Sequence, residues 1–402
     1  MSSNMSRIIR TALFTPTSDG WGLPLLFWGG PGVGKSAIVE GIGRNYGLPV
    51  EVLSPGERGE GAFGVIGVPD TEGYIAYPPP RWVQQFEGSH GGFLFVDELT
   101  TAPPAIQSAL LGLLLKKRIG GSTLNGRVRI LGAANPIGDG AGCNDLAPAV
   151  ANRLGHFNWE APSETEWSEW LMSSINDTTV VVEPAKILEA RVMANWARPW
   201  AKFRGLVAGF IRANPALLHK QPPNGHPDSS RAWPSHRSWE YACRAMAGAE
   251  ANGMGEVDGD MLAASFVGPG AIGELVEYRT KSDLPDPVDV LDGKVIFKPD
   301  FKRLDRTFAV LGSTTSLVMG AVAEMSKGAA AGGVAKAIRQ DKVLSRRLDA
   351  LIELLTKTSE GAIDLTWNSA KQLAKAGIHD ISDDSKKLIK RMRPLIDAVE
   401  QR

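Results

Sequence analysis

Short groups of residues in this chain have the types and spacing of phosphate chemistry. The first is Gly29-Gly30-Pro31-Gly32-Val33-Gly34-Lys35-Ser36, which follows the apolar run Leu25-Leu26-Phe27-Trp28 and leads into a helical stretch. It fits G-x-x-x-x-G-K-S in the setting that chemistry requires, a strand before and a helix after. Glycines let backbone N–H groups turn inward and approach phosphate oxygens where a Cβ would obstruct them. Lys35 can carry charge to the β- and γ-phosphates, and the Ser36 hydroxyl is placed to ligate Mg2+. The helix N-terminus aims its dipole at the same anion. These residues read as a nucleoside-triphosphate site.

A second group, Asp97-Glu98, comes directly after the apolar run Phe93-Leu94-Phe95-Val96. At the C-terminal end of a strand in a parallel sheet, both carboxylates sit where ligands bind. Asp97 is expected to hold Mg2+, directly or through water, and Glu98 to polarise an attacking water. Hydrolysis needs such a positioned base, because placement and charge stabilise the phosphoryl transition state. The run Val128 to Ala133 then delivers Ala134-Asn135-Pro136. The Asn135 amide can bond both a γ-phosphate and the lytic water. Asn before Pro is also a common turn pair, so this role leans on the other motifs.

The elements that must position these residues follow from the hydrophobic pattern. A short helix, Ser6 to Leu13, precedes a Pro/Ser/Gly loop. Strand, loop, helix (Ser36 to about Asn45) and strand (Val50 to Leu53) then make a βαβ rhythm, the mark of a parallel sheet. Residues 56–80 break the rhythm with Gly56, Gly59, Gly61, Gly64, Gly67 and Gly73 among Val65, Ile66, Val68, Tyr74 and Ile75, ending in Pro78-Pro79-Pro80. They read as an insertion of short β segments and loops. Pro103 opens a helix with Ile106, Leu110, Leu113 and Leu114 on its apolar positions. Lys116-Lys117-Arg118 close it; basic residues there suit the negative end of the helix dipole, with a nucleic-acid patch as the alternative. Gly120-Gly121 and Asn125-Gly126 are hairpin turn signals. A loop with Gly138, Gly140 and Gly142 precedes a short helix ending near Arg153, and Phe157 to Trp159 completes the sheet.

From Pro162 the pattern becomes helical: Glu164 to Met172, Pro184 to about Trp200, and Phe203 to Leu218. A loop from His219 to Pro234 leads to Ser235, a helix cap, and a helix with Arg237, Trp239, Tyr241 and Met246. His219, His226 and His236 lack metal-ligand spacing, and no metal is assigned to them. The expected organisation is an α/β nucleotide-binding domain at 1–161, a helical lid at 162–250, a linker or rim segment at 251–300 around Leu284-Pro285-Asp286-Pro287, and a helical region at 301–402. In the last, Gly328 to Gly333 is low in complexity. Leu344, Leu348, Leu351 and Leu355 form one helix stripe, and Leu388, Met392, Leu395 and Val399 repeat it across Pro394.

Composition narrows the class. At 402 residues, two or three domains are expected. Lys+Arg and Asp+Glu balance at 44 each, so no global basic field invites nucleic acid or an anionic membrane. Cys143 and Cys243 form no metal pattern and suggest a reducing compartment. No uninterrupted apolar stretch long enough to span a membrane occurs, nor a signal-peptide profile, and a cytoplasmic location is expected.

Gly29 to Ser36, Phe93 to Glu98, Ala134-Asn135-Pro136 and Leu146-Ala-Pro-Ala-Val-Ala-Asn-Arg153 together resemble AAA+ ATPases, and within them the MoxR-type, dynein-related branch. The resemblance covers about residues 20–280. It implies a P-loop α/β fold with a helical lid, ATP and Mg2+ as cofactors, Glu98 as the catalytic carboxylate and Asn135 as sensor 1. It makes Arg153 the finger offered to a neighbouring subunit's ATP. Residues 56–80, with Gly64-Val-Ile-Gly67 and Pro78-Pro-Pro-Arg-Trp82, are similar to the helix-2 insert of this branch. Pro234-Ser-His-Arg-Ser-Trp239 looks like its sensor 2 segment, with Arg237 as the lid arginine. Two departures stand out: the hairpin between Arg118 and Val128 is short, and His236 stands where relatives often have Pro. The resemblance further implies a homo-oligomeric, hexameric ring, a protein client remodelled in a chaperone-like way, and a von Willebrand factor A-domain partner. The rival readings are a nucleic-acid motor or restriction-type NTPase, a small-molecule kinase, and a nucleotide-gated scaffold.

Overall fold

Five short strands, three of them buried along their whole length, build the sheet that carries the candidate site. They are β1 (Leu25–Trp28), β2 (Val50–Leu53), β3 (Gly92–Val96), β4 (Val128–Ala134) and β5 (Gly155–Asn158). In the computed structural model of the chain they form one five-stranded sheet in the order β5-β1-β4-β3-β2, every pairing parallel. The structure describes residues 3–86, 91–136, 144–172, 183–223, 225–327, 334–376, 386, 388 and 390. Continuous burial of β1, β3 and β4 is what strands covered on both faces require. Register sets the site: Trp28 lies opposite Ala134, and Val96 opposite Gly132 and Leu53. The residues that follow β1, β3 and β4 therefore emerge along one edge.

Packing divides the chain into two compact units, Met1–Ala194 with Leu217–Ile272, and Asn195–Ala216 with Gly273–Arg402. In the first, Leu26, Trp28, Leu94, Val96, Val128 and Ile130 share a core with Ile106, Leu110 and Leu113 of the helix Pro104–Lys116. That helix starts behind Pro103, which needs no N–H partner there. It ends at Lys117 in the left-handed conformation, φ 50°. Lys117 is buried, and its Nζ donates to the carbonyls of Trp21 and Gly126. The middle residue of the basic triplet is thus a buried tie, while Lys116 and Arg118 are exposed.

Arg129, inside β4, is fully buried. Its guanidinium donates to the Leu13 and Arg127 carbonyls at 2.8 and 2.7 Å and to the carboxylate of Glu189, itself buried. The Phe14 ring lies 4.5 Å from it.

The structure departs from the expected pattern in places. The two helices expected at 184–200 and 203–218 are one helix, Ala185–Ala213, running through Pro199, with a short 3-10 turn at Pro215–Leu217 beyond it. Proline costs a helix one hydrogen bond and a steric clash, yet Leu188, Val192, Trp196, Phe203 and Phe210 keep one buried stripe across it. Burial outweighs the local break. Residues 56–80 hold short β segments as expected, Val68–Pro69 paired with Ile75–Ala76, and the structure adds helical turns at Pro55–Arg58 and Glu60–Phe63. Their Ile66, Tyr74, Ile75 and Tyr77 are exposed. The hairpin after Arg118 is a pair of two-residue strands.

The second unit is helical. Leu344, Leu348, Leu351 and Leu355 are all buried in its core, with Val310, Leu317, Val318, Leu365 and Leu373. The helix Leu304–Lys327 is long and apolar enough to cross a membrane, with mean hydropathy 1.4, and half of that window is buried. Its Val310, Leu311, Val318 and Val322 fill this core. Leu388 is buried as the stripe requires. Met392, Pro394, Leu395 and Val399, the glycines 138, 140 and 142, Cys143, and Gly328 to Gly333 lie outside the described residues.

Candidate nucleotide site

The loop between β1 and the helix Lys35–Tyr46 is shaped by its glycines. Gly34 precedes the helix with φ 83°, a left-handed conformation that disfavours a side chain. At Gly29 an added Cβ would meet the Trp159 carbonyl oxygen at 2.8 Å. Gly29 N–H donates to the Ala134 carbonyl at 3.0 Å, tying the loop entry to the end of β4.

Lys35 is buried, and its Nζ donates to the Gly29 and Gly30 carbonyls at 2.7 and 2.8 Å and to Asn135 Oδ1 at 3.3 Å. Desolvation pushes this amine below the ordinary lysine range, opposed by the charges of Asp97 and then Glu98. Ser36 Oγ donates to Asp97 Oδ2 at 2.6 Å. Segments following three different strands, β1, β3 and β4, therefore meet at Lys35, Ser36, Asp97 and Asn135.

Glu98 stands beside this group with an exposed side chain and a left-handed backbone, φ 51°. Such a conformation is unfavourable for a non-glycine residue and persists only where neighbours hold it. Here the Glu98 N–H donates to Asp97 Oδ1 at 3.0 Å, and the Glu98 carbonyl accepts from the N–H and hydroxyl of Thr101, both at 2.8 Å.

The convergent Ser36 hydroxyl and Asp97 carboxylate are hard oxygen donors, which fit Mg2+. Among the described residues no group of three or more His, Cys, Asp or Glu could hold a metal alone. A cation here would share its coordination with phosphate oxygens, as Mg2+ commonly does.

Arg153 and Arg237 both belong to the first unit. Arg153 follows the helix Pro148–Ala151, and its guanidinium donates to the Ala149 carbonyl while its Nε has no partner. Arg237, near the start of the helix His236–Ala251, is close enough that its charge, after desolvation, lowers the pKa of Arg153. Tyr241 shares this neighbourhood, its phenol pushed up by burial and pulled down by both arginines. Among the described residues neither arginine has a carboxylate partner, and neither bonds to Gly29–Ser36. Helix entry at His236 is secured by Ser235 and Ser238, which cap each other's backbone N–H groups.

Sequence reasoning missed the supports of the loop. Trp159 Nε1 donates to the Val33 carbonyl at 3.3 Å, and its ring meets Phe27 edge-on at 5.2 Å. Trp28 bonds His156, and the Arg231 guanidinium lies 3.9 Å from the Trp28 ring centroid. A tryptophan at the last position of the strand feeding the loop was the available signal.

No family model matches the sequence, and no curated protein does. Among solved structures the chain is similar to a Cytophaga hutchinsonii protein described as a "putative ATPase", with 15% identity and a TM-score of 0.41 over 68% of this chain and 84% of that one. It is similar also to a full-length MCM homolog from Methanopyrus kandleri, with 16% identity and a TM-score of 0.41 over 69% of this chain. This chain spans 56% of that homolog's length. Likenesses this distant do not separate one function from another, and the P-loop α/β fold with its helical C-terminal part stands on the sheet and loop themselves.

Proposed function

We propose that the chain is an AAA+ ATPase of MoxR type that hydrolyses ATP to ADP and phosphate at the junctions of a homo-oligomeric, hexameric ring, and uses the cycle to remodel a protein client in the cytoplasm. The observation that carries this reading is the meeting of Lys35, Ser36, Asp97 and Asn135, with Ser36 Oγ 2.6 Å from Asp97 Oδ2. Backbone N–H groups of Gly30 to Gly34 would cradle the phosphates, and Lys35 would exchange its bonds to loop carbonyls for bonds to phosphate oxygens. Mg2+, held by Ser36 and Asp97, would neutralise charge on the β- and γ-phosphates. Glu98 polarises the water that attacks the γ-phosphorus, and Asn135, already bonded to Lys35, reports on the phosphate and orients that water. As the water oxygen bonds to the γ-phosphorus its proton passes to Glu98, the bond from γ-phosphorus to the bridging oxygen breaks, and ADP leaves with the electron pair.

Arg153 and Arg237 supply the second half of the site in the next subunit. Arg153 feels the charge of Arg237 and keeps an unpartnered Nε, a setting that suits an anion, and a γ-phosphate is such an anion. A small-molecule kinase would leave Glu98 and this pair without a task. Helices after residue 162 would form the lid that moves with each cycle.

Mixing tests the in-trans assignment. Arg153→Ala subunits keep their own loop, while Lys35→Ala subunits keep the finger. Each alone is expected to assemble without turnover, and the mixture to regain activity. Assembled mixtures that stay inactive would remove Arg153 from the neighbouring site.

A further inference from the structure

A closed circuit of contacts joins the phosphate loop to Arg153, and the mechanism above does not use it. Trp28, buried at the end of β1, immediately precedes Gly29. Its Nε1–H donates to His156 Nδ1 on the adjacent strand β5 at 2.9 Å. An accepting Nδ1 requires a neutral ring, and burial holds this imidazole's pKa down at about 4, helped by the Arg231 charge. The ring proton is thus on Nε2, 3.0 Å from the Ala151 carbonyl. Ala151 is followed by Asn152 and Arg153.

Asn152, buried, extends the circuit. Its Nδ2 donates to the Trp233 carbonyl at 2.9 Å, and its Oδ1 accepts from Ser235 Oγ at 2.6 Å. This segment begins at Arg231, stacked on Trp28, and ends in the helix that carries Arg237. Every step is a short contact between groups of this one unit. A Trp and a His that only filled space would need neither the indole donor nor the imidazole acceptor.

Resting on the nucleotide-site reading above, we propose that His156 is a positioning residue that couples the chain's own phosphate loop to the Arg153 segment it presents to the next subunit. Movement of Gly29 and Trp28 on nucleotide binding then shifts Ala151 to Arg153 through the imidazole, and Asn152 carries Arg237 along. The site that a subunit fills and the arginines that it offers are linked.

The test uses the full chain with Trp28→Phe, which keeps a ring under Arg231 while removing the donor and part of the buried indole, and with His156→Leu, which removes the acceptor. In nucleotide-free protein, hydrogen exchange at the amides of Asn152 to Leu154 is expected to quicken about tenfold in each variant, with β2 unchanged. In His156→Leu the affinity for ATP should stay within about twofold while kcat falls about tenfold, and the double variant should lose no more kcat than the more impaired single one. Unchanged exchange at Asn152 to Leu154 would overturn the coupling, as would losses that multiply in the double variant or a kcat equal to wild type in His156→Leu. If the wild-type chain did not turn over ATP, the reading of the site would fall, and the exchange measurement would still decide the link.

Discussion

Asp97→Asn removes one charge where the phosphate loop meets β3, and its consequences can be read separately. The Ser36 Oγ to Asp97 Oδ2 distance of 2.6 Å is that of a hydroxyl donating to a carboxylate. Hydrogen bonds to charged groups contribute about 1.5–3 kcal/mol, and the same carboxylate is the one proposed to hold Mg2+. The variant should therefore weaken Mg2+-nucleotide affinity about ten- to a hundredfold. Lys35 gives a second readout. Burial lowers its pKa, and Asp97 is the foremost charge opposing that shift, followed by Glu98. With Asp97 neutralised the pKa falls further, so less Lys35 is cationic at a given alkaline pH. The alkaline limb of the binding profile should move to lower pH. Titration of a fluorescent ATP analogue with Mg2+ across neutral to alkaline pH measures both effects. Wild-type affinity together with an unmoved alkaline limb would refute the placement of Asp97 in the site.

Glu98→Gln should bind ATP with near wild-type affinity and lose turnover by about 10²–10⁴-fold, the range for a lost general base; rapid-quench assays showing normal hydrolysis would take Glu98 out of that role. Lys117, whose pKa burial lowers to about 7, sheds its proton in the folded chain well before the unfolded one does. Its burial cost is full below about pH 7 and is relieved as pH rises toward the ordinary value of 10.5. Lys117→Met should flatten that rise in stability, seen in denaturation midpoints between those pH values. Glu189→Ala leaves the fully buried Arg129 without its carboxylate and should destabilise the first unit by about 3–5 kcal/mol in denaturant titrations.

What was legible along the chain had one property: its determinants are contiguous. Gly29 to Ser36, Asp97-Glu98 and Asn135 each follow directly on an apolar run, so strand, ligand-bearing end and chemistry are written in adjacent residues. Periodicity likewise marked Leu344, Leu348, Leu351 and Leu355, all of which are buried. Pro199 shows the limit. Its local preference argues for a break, and the buried stripe on either side keeps the helix continuous. The basic triplet shows another limit: the Lys117 amine ends on the carbonyls of Trp21 and Gly126, partners that charge counting does not reveal.

The amino-acid sequence by itself determined that a phosphate loop, an acidic strand end and an asparagine strand end exist, because each depends on local backbone geometry and neighbouring residue types. Only the tertiary structure decided that they meet. The order β5-β1-β4-β3-β2 sets β4 between β1 and β3, and this brings Asn135 to Lys35 and Asp97 to Ser36. It also ran the Trp28–His156 bond between strands far apart in the chain. Those contacts come from strand order and register, which a linear pattern of apolar residues does not encode.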